Sequence, residues 1–599
     1  MAEEIVAVYE QRKAAAHAEF AKQKSRGDMY GLFVTVLGLM ALRQGYLAVF
    51  GSGSGRNVAL VLVPLAVLTA LWRLVRARER RQMRLSSYYA TALDRANGVV
   101  PQTGQTGEDF VPEGHLYAWD LDVVGETSLV GMLATTRTTI GQRALANLLL
   151  RPTTAEAARQ RQAAVQELTP ALDLREQGAL LGASKFEEIP AETYERWLEV
   201  ETAAPAVWIR PLLVAVNVAW VLLLLVRWVH YGELGVWLRP LESLLLAQGM
   251  LCLWLRPQAT VELKAAKRLF GQTAILRRGL RMVQTASFQS ERLQELQREC
   301  AGQEEALGLL ERWLMVVEHR EKEWFSVLTV LFCGGTQAMF GLQRWKARHG
   351  EPMRRWLAAW SELEALLALA TYAAEHTANV YPEIVEGAAT FEAVAMVHPL
   401  LPREKAVAND IVLGVSAGTA QQFLLISGSN MAGKSTLLRT VGANALLALA
   451  GAPVPAKRLR LSALRVGASL AIRDSLAEGK SKFLAEVERL RAVLQVARED
   501  PAQTLFLIDE ILSGTNSADR RAAAEAVVRG LCAAGAIGAL STHDLALAEL
   551  AEIAELRGRN VHMASPNEDD PLGFDYVLKP GVNRTTNALA IVRLLGLMG

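Results

Sequence analysis

The sequence predicts a mostly α-helical molecule that closes in an α/β domain and carries two apolar helical hairpins. Three observations support this class. Paired apolar runs at 29–75 and 209–255 are each long enough for two bilayer crossings. The stretches 110–200 and 260–390 mix apolar and charged residues at helical spacing, with breaks at Pro152 and Pro190. From residue 394 to 599, short β-branched runs and glycines alternate with helical stretches, the pattern of a strand–helix–strand domain.

Composition sets the outer limits. The 599 residues are enough for about three to five folding units. A chain that is 51% hydrophobic and 21% charged is neither disordered nor collagen-like. With 64 Lys+Arg against 62 Asp+Glu, the net charge of +2 excludes a globally basic nucleic-acid binder and leaves room only for local basic patches. Four cysteines (Cys252, Cys300, Cys333, Cys532) form no CxxC pair. They match neither a zinc site nor a disulfide framework, so a reducing compartment is expected.

The first hairpin joins Met29–Phe50, interrupted by Arg43 and Gln44, to Val58–Val75 through the turn-like GSGSGRN. A polar segment, 1–28, precedes it and no small-residue cleavage site follows, unlike a signal peptide. Arg12, Lys13, Lys22, Lys24 and Arg26 stand before it, and Arg76, Arg78, Arg80, Arg81 and Arg84 after it, whereas the loop holds only Arg56. Cationic flanks stay on the cytoplasmic side, so both ends are expected inside. The second hairpin pairs Pro211–Val226 with Val236–Leu255, despite Asn217, Arg239 and Glu242, and is followed by a basic run from Lys264 to Arg281. Trp208, Trp220, Trp228, Trp237 and Trp254 lie near its helix ends, as in an interfacial belt. These features predict a multi-pass protein of the lipid bilayer, with both termini cytoplasmic. A third apolar run, Phe325–Leu342, has no hairpin partner and contains Gly334-Gly335, so it reads as buried core.

The C-terminal domain, 394–599, carries the chemistry. Phe423–Ile426 is a buried-strand run leading into Gly428-Ser429-Asn430-Met431-Ala432-Gly433-Lys434-Ser435-Thr436, after which a helix begins. This is the phosphate-binding loop pattern GxxxxGK[ST], in which backbone N–H groups and a helix N-terminus face phosphate oxygens. Lys434 is expected to reach the β- and γ-phosphates, and Ser435 to hold Mg²⁺. A second strand run, Thr504–Ile508, ends in Asp509 and Glu510, the first placed for Mg²⁺ and the second to polarise an attacking water. A third, Ile537–Leu540, ends in Ser541-Thr542-His543-Asp544, where His543 can contact the γ-phosphate. Together these predict a P-loop ATPase using ATP and Mg²⁺.

GSNMAGKST, RVGAS (465–469), AEGKSKFLAEV (477–487), IDEILSGTNSADR (508–520) and STHD resemble the MutS family of DNA mismatch repair ATPases. The segment 121–150 resembles the start of that family's helical core, and 361–401 its junction with an ABC-type ATPase domain. The resemblance implies a homodimer through the ATPase domain, with ATP capped in trans by Ser481 and Asn516 at the interface. It also implies DNA as a partner. The departures are specific. The roughly forty residues between the first hairpin and the helical core are too few for the family's mismatch-recognition domain, and Phe186-Glu187-Glu188 matches its wedge only in composition. Near Ala406–Asn409 the family places an aromatic for adenine, and none stands there. The family's C-terminal dimerisation extension is not expected.

The resulting expectation is a membrane-anchored, ATP-driven dimeric clamp that binds DNA. The alternatives are an ATP-gated membrane scaffold without DNA, or an ABC-transporter-like ATPase. Against the last, the nearest signature match, Leu512–Thr515, follows the acidic pair instead of preceding it.

Overall fold

A computed structural model describes residues 2–51, 55–99, 104–182, 189, 191–200, 208–229, 234–320, 329, 332–416, 419–429, 431–470, 482–512, 517–565 and 573–583. The molecule is mostly helical with a C-terminal α/β region. Its helices are α1 (Ala2–Phe50), α2 (Gly55–Ala96), α3 (Leu129–Leu133), α4 (Thr139–Leu150), α5 (Ala155–Leu168), α6 (Leu172–Ala179), α7 (Ala191–Glu199), α8 (Ile209–Val229), α9 (Leu234–Ala266), α10 (Leu269–Thr285), α11 (Glu291–Glu299), α12 (Gln303–His319), α13 (Gly334–Glu375), α14 (Lys434–Ala450), α15 (Lys482–Glu499) and α16 (Ser517–Ala533). The chain forms two compact units, one of residues 1–135, 145–180 and 366–599, the other of 136–144 and 181–365.

In the first unit, α1 and α2 pack along each other as one long hairpin. Residues 2–28, expected as a separate segment, are the first half of α1, and α2 continues twenty-one residues beyond Val75. The polar half is tied by specific contacts. Tyr9 and Tyr89 pack with ring centroids 5.5 Å apart, and Arg76 pairs with Asp28 and Glu79, each at 2.7 Å. Arg95, near the end of α2, donates two hydrogen bonds, of 2.8 and 2.7 Å, to buried Glu375 at the end of α13. The apolar half has no such cover. Leu32 is 64% exposed, Leu60 66% and Phe50 75%. Both helices are long and apolar enough to cross a membrane.

The second unit is helical. Its α8 packs against α9, but α8 contributes only a shorter apolar stretch, 209–223, among the described residues. Trp208 and Trp254 are exposed, whereas Trp220 is buried against Phe332, which removes it from the expected interfacial belt. The cysteine reading also needs correction. Cys252 on α9 is disulfide-bonded to Cys333, a pairing across 81 residues that no local spacing announces. Of the run Phe325–Leu342, Cys333, Ala338, Met339, Phe340 and Leu342 are buried, and 325–328 and 330–331 lie outside the described residues. Within this unit Glu364 is enclosed, accepting from Arg137 N at 2.9 Å and from the Thr138 hydroxyl. Burial pushes its carboxyl up to about 7, against the opposing pull of those two donors.

The C-terminal part of the first unit holds two sheets. Strands β1 (Glu383–Val385), β2 (Thr390–Met396), β3 (Asn409–Ser416), β4 (Thr419–Gln421), β5 (Phe423–Ser427), β6 (Arg458–Ser462), β7 (Arg465–Ser469), β8 (Thr504–Ile508), β9 (Ile537–Thr542), β10 (Gly558–His562) and β11 (Lys579–Pro580) divide between them. One sheet has the order β1-β6-β2-β3-β4, the other β11-β10-β5-β9-β8-β7. The second is parallel except for β11. Strands β5, β8 and β9 are buried along their whole length, as their continuous apolar runs require when helices cover both faces. On one face Leu490 and Val493 of α15 and Ala524, Val528 and Leu531 of α16 close over Phe506 and Ile508. The register aligns Ser427 with Thr542 and Ile508 with Leu540, so the carboxyl ends of β5, β8 and β9 share one edge.

Candidate active site

That edge is where ligands of open parallel sheets bind, because loops and helix N-termini converge there. The loop leaving β5 turns at Gly428 (φ 146°), where a Cβ would stand 2.4 Å from the Met563 carbonyl oxygen. It re-enters a helix at Gly433 (φ 93°), a conformation that a residue with a side chain rarely adopts. Lys434 is the first residue of α14 and only 2% exposed. Its ammonium donates to the carbonyls of Gly428 and Ser429, both at 2.8 Å, so the side chain folds back across the loop. Burial lowers its pKa, and the nearby carboxylates of Asp509 and Glu510 partly oppose that shift. Ser429 Oγ is shielded from solvent without a hydrogen-bond partner, Ala432 is buried, and Met431 and Thr436 are exposed. Asn430 lies outside the described residues.

The acidic strand end meets this loop directly. Ser435 Oγ donates to Asp509 Oδ2 at 2.5 Å, and Ser541 Oγ donates to Asp509 Oδ1. Ser541 Oγ also accepts from Glu510 N at 3.2 Å, and Asp509 N donates to Ser469 O on β7. Glu510 sits in the left-handed region (φ 48°), a costly backbone state for a non-glycine residue. His543 Nδ1 lies 3.6 Å from Glu510 Oε1, beyond hydrogen-bond length but close enough for charge interaction once the ring is protonated. Five sequence-predicted residues, Lys434, Ser435, Asp509, Glu510 and His543, therefore come together at the ends of three adjacent strands. Ser481 and Asn516 lie outside the described residues.

Several contributors were not assigned a role from sequence. Ser541 bridges the two acids, and its only signal was its place directly after a strand run. Glu486 accepts from Leu512 N at 2.5 Å, while Arg520 Nε donates to Leu512 O at 3.0 Å and pairs with Asp544 at 3.3 Å. These two side chains clamp the strained turn after Glu510. Asp120 is buried and pairs with Arg489 at 2.7 Å, and its carbonyl accepts from Arg439 on α14 at 2.9 Å. It thereby ties residues near 120 to the helices that follow the loop and precede β8.

The donor set fits a polyphosphate and a divalent cation. The two glycine positions leave no room for side chains, an orphaned hydroxyl points to a missing partner, and a hydroxyl and a carboxylate converge at Ser435 and Asp509. Among the described residues no group of three or more His, Cys, Asp or Glu could hold a metal ion by protein ligands alone.

Comparison with known proteins agrees with the sequence motifs. Residues 424–598 match the family model described as MutS domain V. The chain is 31% identical over 287 residues to a DNA mismatch repair protein MutS of Thermus thermophilus, covering 47% of this chain and 33% of that protein. It is 32% identical over 259 residues to a DNA mismatch repair protein MutS 2 of Halobacterium salinarum, covering 42% and 29%. A MutS of Brevibacillus brevis is 39% identical over 201 residues, covering 32% and 22%. The chain thus spans a third or less of the length of these curated relatives.

Proposed function

We propose that this chain, a MutS-family protein through its domain V, is a membrane-anchored ATPase whose catalytic domains pair around ATP. The observation that carries the reading is the convergence of Lys434, Ser435, Asp509, Glu510 and His543 at one sheet edge, beside a loop with no room for side chains at Gly428 and Gly433. The backbone N–H groups of Gly428–Thr436, Asn430 and Met431 included, bind the phosphates, and Lys434 neutralises their charge. Ser435 and Asp509 hold Mg²⁺, which when bound supplies charge neutralisation to the phosphate oxygens. Glu510 takes the proton of the attacking water, and His543, beside that carboxylate, faces the γ-phosphate. By resemblance, Ser481 acts in trans and Asn516 lies at the interface of a homodimer. Hydrolysis then removes the shared charged ligand and releases the pair.

The exposed apolar halves of α1 and α2 support a lipid bilayer as their solvent, because soluble monomers rarely expose contiguous apolar patches beyond a few hundred Å². DNA binding follows from the family resemblance. A specific observation favours the rival reading, a membrane scaffold without DNA. Within the basic run 264–281, Arg277 pairs with Glu304 and Glu311, and Arg281 pairs with Glu304, so two of its six cations already have acidic partners. One variant tests both points. Glu510→Gln is expected to retain ATP and lose hydrolysis by about 100-fold or more, the usual contribution of a general base. Hydrolysis at the wild-type rate contradicts the assignment. Salt-sensitive retention of a DNA duplex by the ATP-loaded variant supports the clamp, and no retention at low salt supports the scaffold.

A further inference from the structure

We propose that the outward face of α2, where its apolar half ends, is a binding surface for the headgroups of anionic phospholipids. The inference rests on the reading of α1 and α2 as a membrane-crossing hairpin. At that level residues 19–30 of α1 run beside 70–86 of α2, joined by Arg76, which pairs with Asp28 and Glu79. The two segments carry nine Lys or Arg against three Asp or Glu. All three acids are already engaged, Asp28 and Glu79 by Arg76 and Glu19 by Lys22 at 3.5 Å. Among the described residues, Lys24, Arg73, Arg78, Arg80 and Arg81 are exposed and make no ion pair or hydrogen bond.

Helical spacing sets this face. Val75 is buried and the Trp72 ring lies against Gly31 of α1, so the arginines at 73, 78, 80 and 81 turn away from the packed side. At a rise of about 1.5 Å per residue, Arg73 to Arg81 spans about 12 Å of helix axis. A headgroup layer is about 5–7 Å thick on each side of a bilayer, and charge acts about 8 Å further at physiological salt. The cations therefore occupy the layer that holds the lipid phosphates and their field. Arg73 decides between lipid and nucleic acid. It stands between Leu71 and Leu74, 42% and 57% exposed, where the helix surface is still apolar. A guanidinium at that level reaches a lipid phosphate with two parallel hydrogen bonds, whereas a duplex outside the bilayer does not reach it. Orientation in the membrane needs only a charge bias. An outward set of unpaired cations does more, concentrating anionic lipid by about fivefold per cation.

The test reconstitutes the full-length chain into vesicles of phosphatidylcholine with about 20% phosphatidylglycerol and extracts it, with its surrounding lipid, into polymer-bounded discs whose headgroup ratio is read by mass spectrometry. Phosphatidylglycerol is expected to be enriched about twofold or more around the wild type. The enrichment is expected to shrink in about 1 M salt, where the screening length falls to about 3 Å. The combined variant Arg73→Gln, Arg78→Gln, Arg80→Gln, Arg81→Gln is expected to return to the vesicle ratio, and Lys at the same positions to keep the enrichment. Lys22, Lys24, Arg26, Arg76 and Arg84 remain in the Gln variant and preserve the orienting bias. Its ATP hydrolysis in detergent is expected to match the wild type, which reports an intact catalytic domain. A vesicle-like headgroup ratio around the wild type, or equal enrichment around the Gln variant, overturns the proposal. Salt-sensitive retention of a DNA duplex that the Gln variant loses, at an unaltered lipid ratio, assigns the face to nucleic acid and overturns it too. A wild-type chain that stays out of the vesicles overturns the spanning reading, and this inference with it.

Discussion

Glu364 illustrates how burial of a single carboxyl sets a pH dependence. Its surroundings hold its pKa near 7, above the usual carboxylate value, because burial outweighs the hydrogen bonds from Arg137 and Thr138. A folded-state pKa raised in this way contributes stability that is fully present below the unfolded value and is lost as pH rises through the folded one. The apparent melting temperature of the wild-type protein is therefore expected to fall between about pH 5 and about pH 8. Glu364→Gln, which preserves shape and cannot ionise, is expected to lose this group's share of the fall; an identical pH profile in wild type and variant contradicts the assignment. The acids at the site differ in kind. Asp509 and Glu510 were readable because an apolar strand ending in two carboxylates is a contiguous signal. The residues that hold them were not. Glu486 reaches Leu512 across 26 positions, and Ser541 reaches Asp509 across 32. Both lie in or beside segments that sequence reading marked, yet their roles exist only once the chain has folded.

At the scale of elements, the hairpin of α1 and α2 shows the same division. Its apolar stretches were legible from length and composition, since about 20 apolar residues define a crossing helix. Its polar half was not, because a solvated charged helix has no periodic apolar face to announce it. What holds that half together is pairwise: Tyr9 on Tyr89, Arg12 on Asp173 at 2.9 Å, and Arg95 on Glu375. Contacts of this kind depend on which distant residues meet in the fold, which local pattern does not encode. The disulfide between Cys252 and Cys333 was missed for the same reason. The apolar half makes its own prediction. The full-length protein is expected to stay with the membrane pellet after an alkaline carbonate wash. Release into the supernatant contradicts a spanning hairpin.

At the scale of the whole molecule, nucleotide chemistry and membrane attachment are proposed to belong to one chain, and the link between them runs through pairing of two copies. The α/β region was legible as a class because strand runs, glycine loop and acidic strand end occur in the order a parallel sheet needs. The strand order β10-β5-β9-β8 was not, since it depends on which strands become neighbours and not on their sequence order. Light scattering of the detergent-purified Glu510→Gln protein tests the central claim most directly. With ATP and Mg²⁺ the protein mass is expected to double relative to the nucleotide-free sample, because an uncleaved triphosphate keeps the two domains closed. A mass unchanged by saturating nucleotide contradicts the account.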